Sequence, residues 1–246
     1  MELRNRIRAI FFDLDETLVD DDRCMREALI RTCAALAQKC PQIKAARLAS
    51  TYTRVSDDLW TSFGSVPRAP GSETSSGREL RLYVWGRTLA AYGLSDENLA
   101  AEAVDVYSRE RRAGYCLFPD VGEVLRALHK RFRLGVITNG PTETQHEKMQ
   151  VTGLLDYLDV FFISGELGIG KPDAGIFLKA LDSVRVTPRE AVYVGDSLTS
   201  DVAGAKGAGI YTVWMNRKKM AQPPETPSPD FEISSLHDLM ALLAPG

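Results

Sequence analysis

The sequence predicts an α/β fold: a parallel sheet with helices packed against it, and an all-helical module inserted after the first strand. Three observations carry this. Five short apolar runs, RAIFFD (8–13), RLGVITN (133–139), DVFFIS (159–164), AVYVGD (191–196) and GIYTVWM (209–215), each read as a strand. They are almost continuously hydrophobic rather than alternating, the pattern of parallel strands buried on both faces. Helical periodicities separate them, and alternating strands and helices imply a parallel sheet between helical layers.

Taken in order, the first strand ends at Asp13, and residues 21–112 then show helical stretches near 23–40, 43–63, 78–92 and 96–112 without a strand run. The segment Gly64 to Gly77, rich in Gly, Pro and Ser, reads as a long loop between two of them. The chain returns near Phe118-Pro119-Asp120, and VGEVLRALHKRF (121–132) carries Val121, Val124, Leu125 and Leu128 on one helical stripe. DAGIFLKALDSV (173–184) repeats the device with Ile176, Phe177, Ala180, Leu181 and Val184. The proline-rich QPPETPSPD (222–230) reads as a semi-rigid connector to a short strand, FEIS, and a final helix, SLHDLMALLA. The expected division is a Rossmann-like three-layer core, 1–20 with 113–246, and a helical module, 21–112. An insertion directly after the first strand sits at the carboxyl edge of the sheet, where α/β proteins bind ligands.

Composition excludes several classes of function. With 30 Lys+Arg against 33 Asp+Glu, the net charge of −3 offers no electrostatic footprint for nucleic acid. No run approaches the roughly 18 consecutive apolar residues of a membrane span. The opening MELRNRIRAI has no apolar run with a cleavage site, so no secretory signal is expected. Cys24, Cys33, Cys40 and Cys116 form no C-x-x-C pair and are expected to be reduced, which suits the cytoplasm. Nothing in the sequence indicates an oligomeric state.

Four sites carry chemistry. Asp13 and Asp15 follow an apolar strand, where paired carboxylates are costly without compensation. A divalent cation would supply it, and hard oxygen donors suit Mg²⁺. Such a carboxylate can attack phosphorus while a neighbouring acid moves protons. The same pair would also serve a turn or cap the helix near Asp21. Thr138-Asn139-Gly140 ends a strand ahead of a helix, forming either an anion cradle or an ordinary capped turn. Lys171 lies between Gly170 and a helix-starting Pro172, which restricts its backbone. Finally, Asp196 and Asp201 flank a helix start after the strand AVYVG; Asp196 could hold a metal, and Asp201 could orient it or simply sit in the first turn of the helix.

Together these residues identify the chain as resembling the haloacid dehalogenase (HAD) superfamily of hydrolases. FFDLDETLVD matches its D-x-D-x-T motif, VITNG its strand-borne Thr/Ser motif, GKPD its lysine and VGDSLTSDVAGAKGAG its acidic motif. The resemblance implies that Asp13 is the nucleophile and Asp15 the general acid and base. It further implies that Thr138 and Lys171 bind phosphoryl oxygens, with Asn139, Gly140 and backbone N–H groups near Leu14 lining the cradle. Mg²⁺ would be held by the Asp13 carboxylate, the Asp15 main-chain carbonyl and Asp196. Asp201 would hold Lys171 or a metal-bound water, and Thr17 would brace the loop.

Residues 21–112 resemble a C1-type cap, which would close over the site. The implied activity is Mg²⁺-dependent hydrolysis of a small phosphorylated metabolite, a nucleoside monophosphate or sugar phosphate, through an aspartyl-phosphate. Alternatives are a phosphomutase, a 2-haloacid dehalogenase or a non-catalytic phosphate-binding protein; Asp15, absent from the founding dehalogenases, argues against carbon–halogen cleavage. ITNGPTETQHEKMQVTGL is similar to phosphatases of nucleoside monophosphates and of N-acylneuraminate 9-phosphate, and its Gln145–Leu154 part is expected to be a core helix away from substrate. In the cap, Trp60, Phe63, Tyr83 and Trp85 are read as core, although they could also stack a base or sugar. Arg54, Arg78, Arg81 and Arg87 are candidates for a second anionic group on the substrate. Arg109, Arg111 and Arg112 would serve the hinge, and the RKK run at 217–219 a solvated turn.

Overall fold

In the computed structural model, which describes residues 6–63 and 76–244, six parallel strands form one sheet in the order β3-β2-β1-β4-β5-β6. The strands are β1 (Ala9–Phe12), β2 (Arg133–Thr138), β3 (Val160–Ile163), β4 (Ala191–Gly195), β5 (Tyr211–Met215) and β6 (Phe231–Ile233). β1 lies between β2 and β4, so the chain leaves it in opposite directions on its two sides and a crevice opens at its carboxyl end.

The unbroken apolar runs have a direct cause. Along β1, Ile10 and Phe12 face a layer built from α5 (Val121–Leu128), Met149 of α6 (Thr142–Val151) and α10 (Leu236–Leu243). Ala9 and Phe11 face the opposite layer, which holds α8 (Ala174–Val184) and Ala205 and Ala208 at α9 (Ala203–Gly207) and its end. Both sides of the strand are dry, so both alternating sets of side chains must be apolar. A short helix, α7 (Ser164–Leu167), follows β3 directly. One detail differs from expectation: Pro172 precedes α8 instead of starting it, and Asp173 caps the helix by accepting from the Gly175 N–H at 2.7 Å.

Between β1 and α5, among the described residues, come four helices: α1 (Asp21–Lys39), α2 (Ala45–Phe63), α3 (Gly77–Ala90) and α4 (Glu97–Gly114). They share their own apolar cluster, in which Tyr52, Trp85 and Tyr107 pack ring against ring with centroids 4.6 to 5.9 Å apart. Trp85 is fully buried and Tyr83 packs against the same cluster, so these two are core; the side chains of Trp60 and Phe63 lie outside the described residues. Of the segment read as a loop, 64–75 lies outside the described residues and Gly77 already belongs to α3.

The RKK run is not uniformly solvated. Arg217 is tucked inward, donating to both oxygens of buried Asp120 at 3.1 Å and to the Thr17 carbonyl at 2.9 Å, with its guanidinium 3.9 Å from the Phe118 ring centre. A phenyl face and a carboxylate fork beside the strand ends are a better environment for its planar cation than bulk water. Among the described residues no helix is long and apolar enough to cross a membrane.

Candidate active site

Asp13 begins where β1 ends, at the mouth of the crevice. Its backbone N–H continues the sheet by donating to the Val194 carbonyl at 2.9 Å. The chain then reverses: the Leu18 and Val19 N–H groups return to the Leu14 carbonyl, and Glu16 adopts φ 58°. Among the described residues, the N–H groups of Leu14 and Asp15 meet no acceptor, leaving two donors beside the Asp13 carboxylate. Thr17 is buried, yet among the described residues its hydroxyl has no partner; it is the Thr17 carbonyl, held by Arg217, that anchors the loop.

Four sequence-distant residues converge on Asp13. Lys171 Nζ donates to Asp13 Oδ1, to Asp201 Oδ1 at 2.7 Å and to the Tyr193 hydroxyl at 3.0 Å. Asp201 is fixed from two sides, Oδ1 also accepting from Tyr193 at 3.1 Å and Oδ2 from the Ser197 N–H at 3.0 Å. The Asp196 backbone is held by the Trp214 indole, which donates to its carbonyl at 2.8 Å. Carboxylate oxygens of Asp13, Asp196 and Asp201 all lie within 4.8 Å of one another. Gly195 makes this packing possible, because a Cβ there would come within 2.4 Å of Asp201 Cγ.

The electrostatics follow from burial. Desolvation pushes the Asp13 carboxyl up to about 7; Lys171 pulls against it, while Asp201 and Asp15 push it further. Asp196 is pushed up to about 9 by burial and by the negative charge of Asp13. Burial would lower Lys171, but Asp13 and Asp201 raise it above its ordinary value, so it stays cationic. Three crowded acids share one ammonium, and a further cation would relieve them. A hard divalent ion fits these oxygen donors.

Thr138 is the last residue of β2, and its hydroxyl accepts from Gln145 Nε2 at 2.6 Å. The neighbouring pair is occupied differently from expectation. Asn139 exchanges two bonds with the Lys171 backbone, at 2.9 Å each, and so holds the lysine loop against β2. The Gly140 N–H donates to Ser164 Oγ at 3.0 Å, with the glycine at φ 146°. Both residues buttress the cradle.

Asp15 turns away from this cluster. Lys148 Nζ donates to its two oxygens at 2.7 and 2.8 Å, and Gln145 Nε2 reaches Oδ2 at 3.1 Å. Lys148 also meets Asp21 at 3.0 Å, and Arg111 grips Asp21 with bonds of 2.8 and 3.0 Å. Gln145 and Lys148, expected only to build a core helix, therefore belong to the site. Their spacing, one helical turn apart, puts them on one face of α6, but nothing in the sequence says that this face turns towards Asp15. Arg111, read as a hinge residue, is buried in the same network, whereas Arg109 and Arg112 are exposed and paired with Glu110 and Glu147.

A cavity of about 230 Å³ lies above Asp15, between the four inserted helices and the loop at Asn139-Gly140. Its walls include Met25, Leu80 and Val84 on the apolar side and Arg81, Arg111 and Lys148 on the charged side. Of the four candidate arginines, only Arg81 reaches it; Arg54 and Arg87 are exposed elsewhere, and Arg78 pairs with Asp105 at 2.6 Å.

The model of the haloacid dehalogenase-like hydrolase family matches residues 7–209. The chain belongs to this family. It is 30% identical to the N-acylneuraminate-9-phosphatase of Mus musculus over 97% of this chain and 94% of that one. Among solved structures, the HAD-hydrolase YfnB of Bacillus subtilis bound to magnesium superposes with a TM-score of 0.78, at 25% identity and over 98% and 100% of the two chains. A 2-haloacid dehalogenase from Pseudomonas syringae gives a TM-score of 0.69 at 32% identity, over 97% and 98%. The chain is thus a HAD-like hydrolase with a phosphatase among its full-length relatives, as its motifs imply.

Proposed function

We propose that this chain is a phosphomonoesterase that uses Asp13 as nucleophile and Asp15 as general acid and base. The observation that carries this reading is the opposite placement of the two carboxylates. Asp13 faces Lys171, Asp196 and Asp201 at the end of the central strand, while Asp15 faces the cavity. An Asp13 oxygen attacks phosphorus, the bond to the leaving oxygen breaks, and Asp15 delivers a proton to that oxygen. Asp15 then removes a proton from water, which attacks the phosphorus on Asp13 and frees phosphate and the carboxylate.

Lys171, the Thr138 hydroxyl and the unengaged N–H groups of Leu14 and Asp15 are positioned to stabilise the phosphoryl oxygens, the main task left to the protein in phosphoryl transfer. Asp13, the Asp15 carbonyl and Asp196 would hold Mg²⁺, whose charge offsets the repulsion between carboxylate and phosphate. Both Asp201 oxygens are already committed, which supports a positioning role for it through Lys171. The similarity to a dehalogenase does not favour carbon–halogen cleavage, because a departing halide needs no proton and the acid half of Asp15's role would be idle.

We assign residues 1–20 and 113–246 to the catalytic core and 21–112 to a cap. We read the location as cytoplasmic; burial pushes the Cys24 thiol up to about 11 and Cys33 up to about 12, which makes these two thiols poor nucleophiles. The test is phosphate release from a panel of nucleoside monophosphates, sugar phosphates and p-nitrophenyl phosphate, with Mg²⁺ and with EDTA. Release should require Mg²⁺ and vanish in a folded Asp13→Asn variant; wild-type turnover by that variant would disprove the nucleophile.

A further inference from the structure

The cavity above Asp15 is the leaving-group side of the site, because the group that protonates the departing oxygen lines it while Asp13, Asp196 and Lys171 do not. Its charges do not balance. Three cations, Arg81, Arg111 and Lys148, line it against two carboxylates, Asp15 and Asp21. Arg111 is spent on Asp21 in a two-bond fork, and Lys148 on Asp15 and Asp21 together.

Among the described residues, Arg81 alone of these three cations has no carboxylate partner. Its guanidinium, half-buried on α3, donates to the Ser108 hydroxyl at 3.1 Å and reaches Thr144 Oγ1 only at 3.5 Å. Two neutral hydroxyls orient a guanidinium without neutralising it. The wall beside it is apolar, with Leu80 and Val84 on the same helix, so water screens the charge less than at an open surface. A planar fork in such a place matches a two-oxygen anion.

We propose that Arg81 is a specificity-determining residue that pairs with a second anionic group, a carboxylate or a phosphate, on the leaving group of the substrate. This rests on the phosphomonoesterase reading above. It selects among substrates: small phosphorylated acids or bisphosphates are preferred to esters whose only anionic group is the scissile phosphate. The cavity, about 230 Å³, suits such compact metabolites, being smaller than the roughly 300–1,000 Å³ of clefts that enclose drug-sized ligands.

The experiment compares kcat/KM within two matched pairs, 3-phosphoglycerate against glycerol 3-phosphate and fructose 1,6-bisphosphate against fructose 6-phosphate, at saturating Mg²⁺. The wild type should prefer the more anionic member of at least one pair by tenfold or more, and the pair that responds distinguishes carboxylate from phosphate. Arg81→Gln should reduce that preference at least tenfold, mainly through KM, and Arg81→Lys should restore part of it. Equal turnover within both pairs, or a preference that survives Arg81→Gln, overturns the inference. So does failure to turn over either pair while p-nitrophenyl phosphate is hydrolysed, an outcome that leaves the phosphatase reading intact. A wild type that releases no phosphate from any of these esters refutes the phosphatase reading itself, and this inference with it.

Discussion

At the scale of single residues, Asp196 and Asp201 are five positions apart on one turn and are predicted to fail differently. Asp196 keeps its carboxylate free of protein donors, among the described residues, whereas both Asp201 oxygens are engaged by Lys171, Tyr193 and the Ser197 N–H. Asp196→Asn should therefore raise the Mg²⁺ concentration needed for half-maximal activity by tenfold or more. Asp201→Asn should lower kcat with a smaller change in Mg²⁺ requirement, because it releases the lysine more than the metal. A Mg²⁺ titration of the two variants side by side decides this, and an equal shift in both would make Asp201 a ligand. Gly195→Ala probes the same packing from below: its Cβ would sit 2.4 Å from Asp201 Cγ, so Asp201 must move. The expected cost is about 1–3 kcal/mol of stability, the usual range for overpacking, together with loss of kcat. Denaturant unfolding and steady-state kinetics on the one variant measure both.

At the scale of elements, the ion network Asp15–Lys148–Asp21–Arg111 ties the loop after β1 to α1, α4 and α6. Burial alone would raise the Asp21 carboxyl, yet Lys148 and Arg111 hold it at about 2. Its folded value lies below the ordinary value of roughly 3.9, so the associated stability is present above about pH 4 and is lost as pH falls towards 2; at about 1.4 kcal/mol per unit it amounts to about 2–3 kcal/mol. Asp21→Asn should destabilise the protein at pH 6, and the gap from wild type should narrow as the pH falls to 2.5. Urea unfolding at both pH values tests this, and a constant gap would mean that Asp21 is not the group responsible. The network also marks the limit of what the sequence made legible. Strands buried on both faces announce themselves as unbroken apolar runs, and Asp13, Thr138 and Asp196 stand at or just beyond strand ends, with Lys171 in the loop after α7, where motif and topology agree. Lys148 and Gln145 lie on a polar helix whose periodicity gives no sign that a lysine faces inward. Only the tertiary placement of Asp15 and Asp21 opposite them makes burying that ammonium favourable. Arg217 escaped for the same reason, since its partners Asp120 and Thr17 are distant in sequence.

At the scale of the whole molecule, the apolar clusters are separate. Among the described residues, the cluster of the four inserted helices contains no strand residue, and the two clusters against the sheet contain none from 21–114. The junction between them holds the cavity, the ion network and contacts such as Gly77 against Thr144. A polar junction would let the proposed cap shift relative to the sheet without tearing a shared core, as admitting substrate and then excluding water requires. It also predicts that the two units lose structure independently. Trp85 is fully buried at the centre of the helical cluster, so Trp85→Ala should cost about 3–5 kcal/mol there. Local opening would then become cheaper in α2, α3 and α4 than in the sheet. Amide hydrogen exchange should show faster exchange across Ala45–Phe63, Gly77–Ala90 and Glu97–Gly114, with β1, β2 and β4 still protected. Turnover should fall with it, because Arg81 and the cavity wall would be held in place for less of the time. Equal acceleration in the strands would mean that helices and sheet unfold as one unit, and the polar junction would then be a rigid seam rather than a hinge.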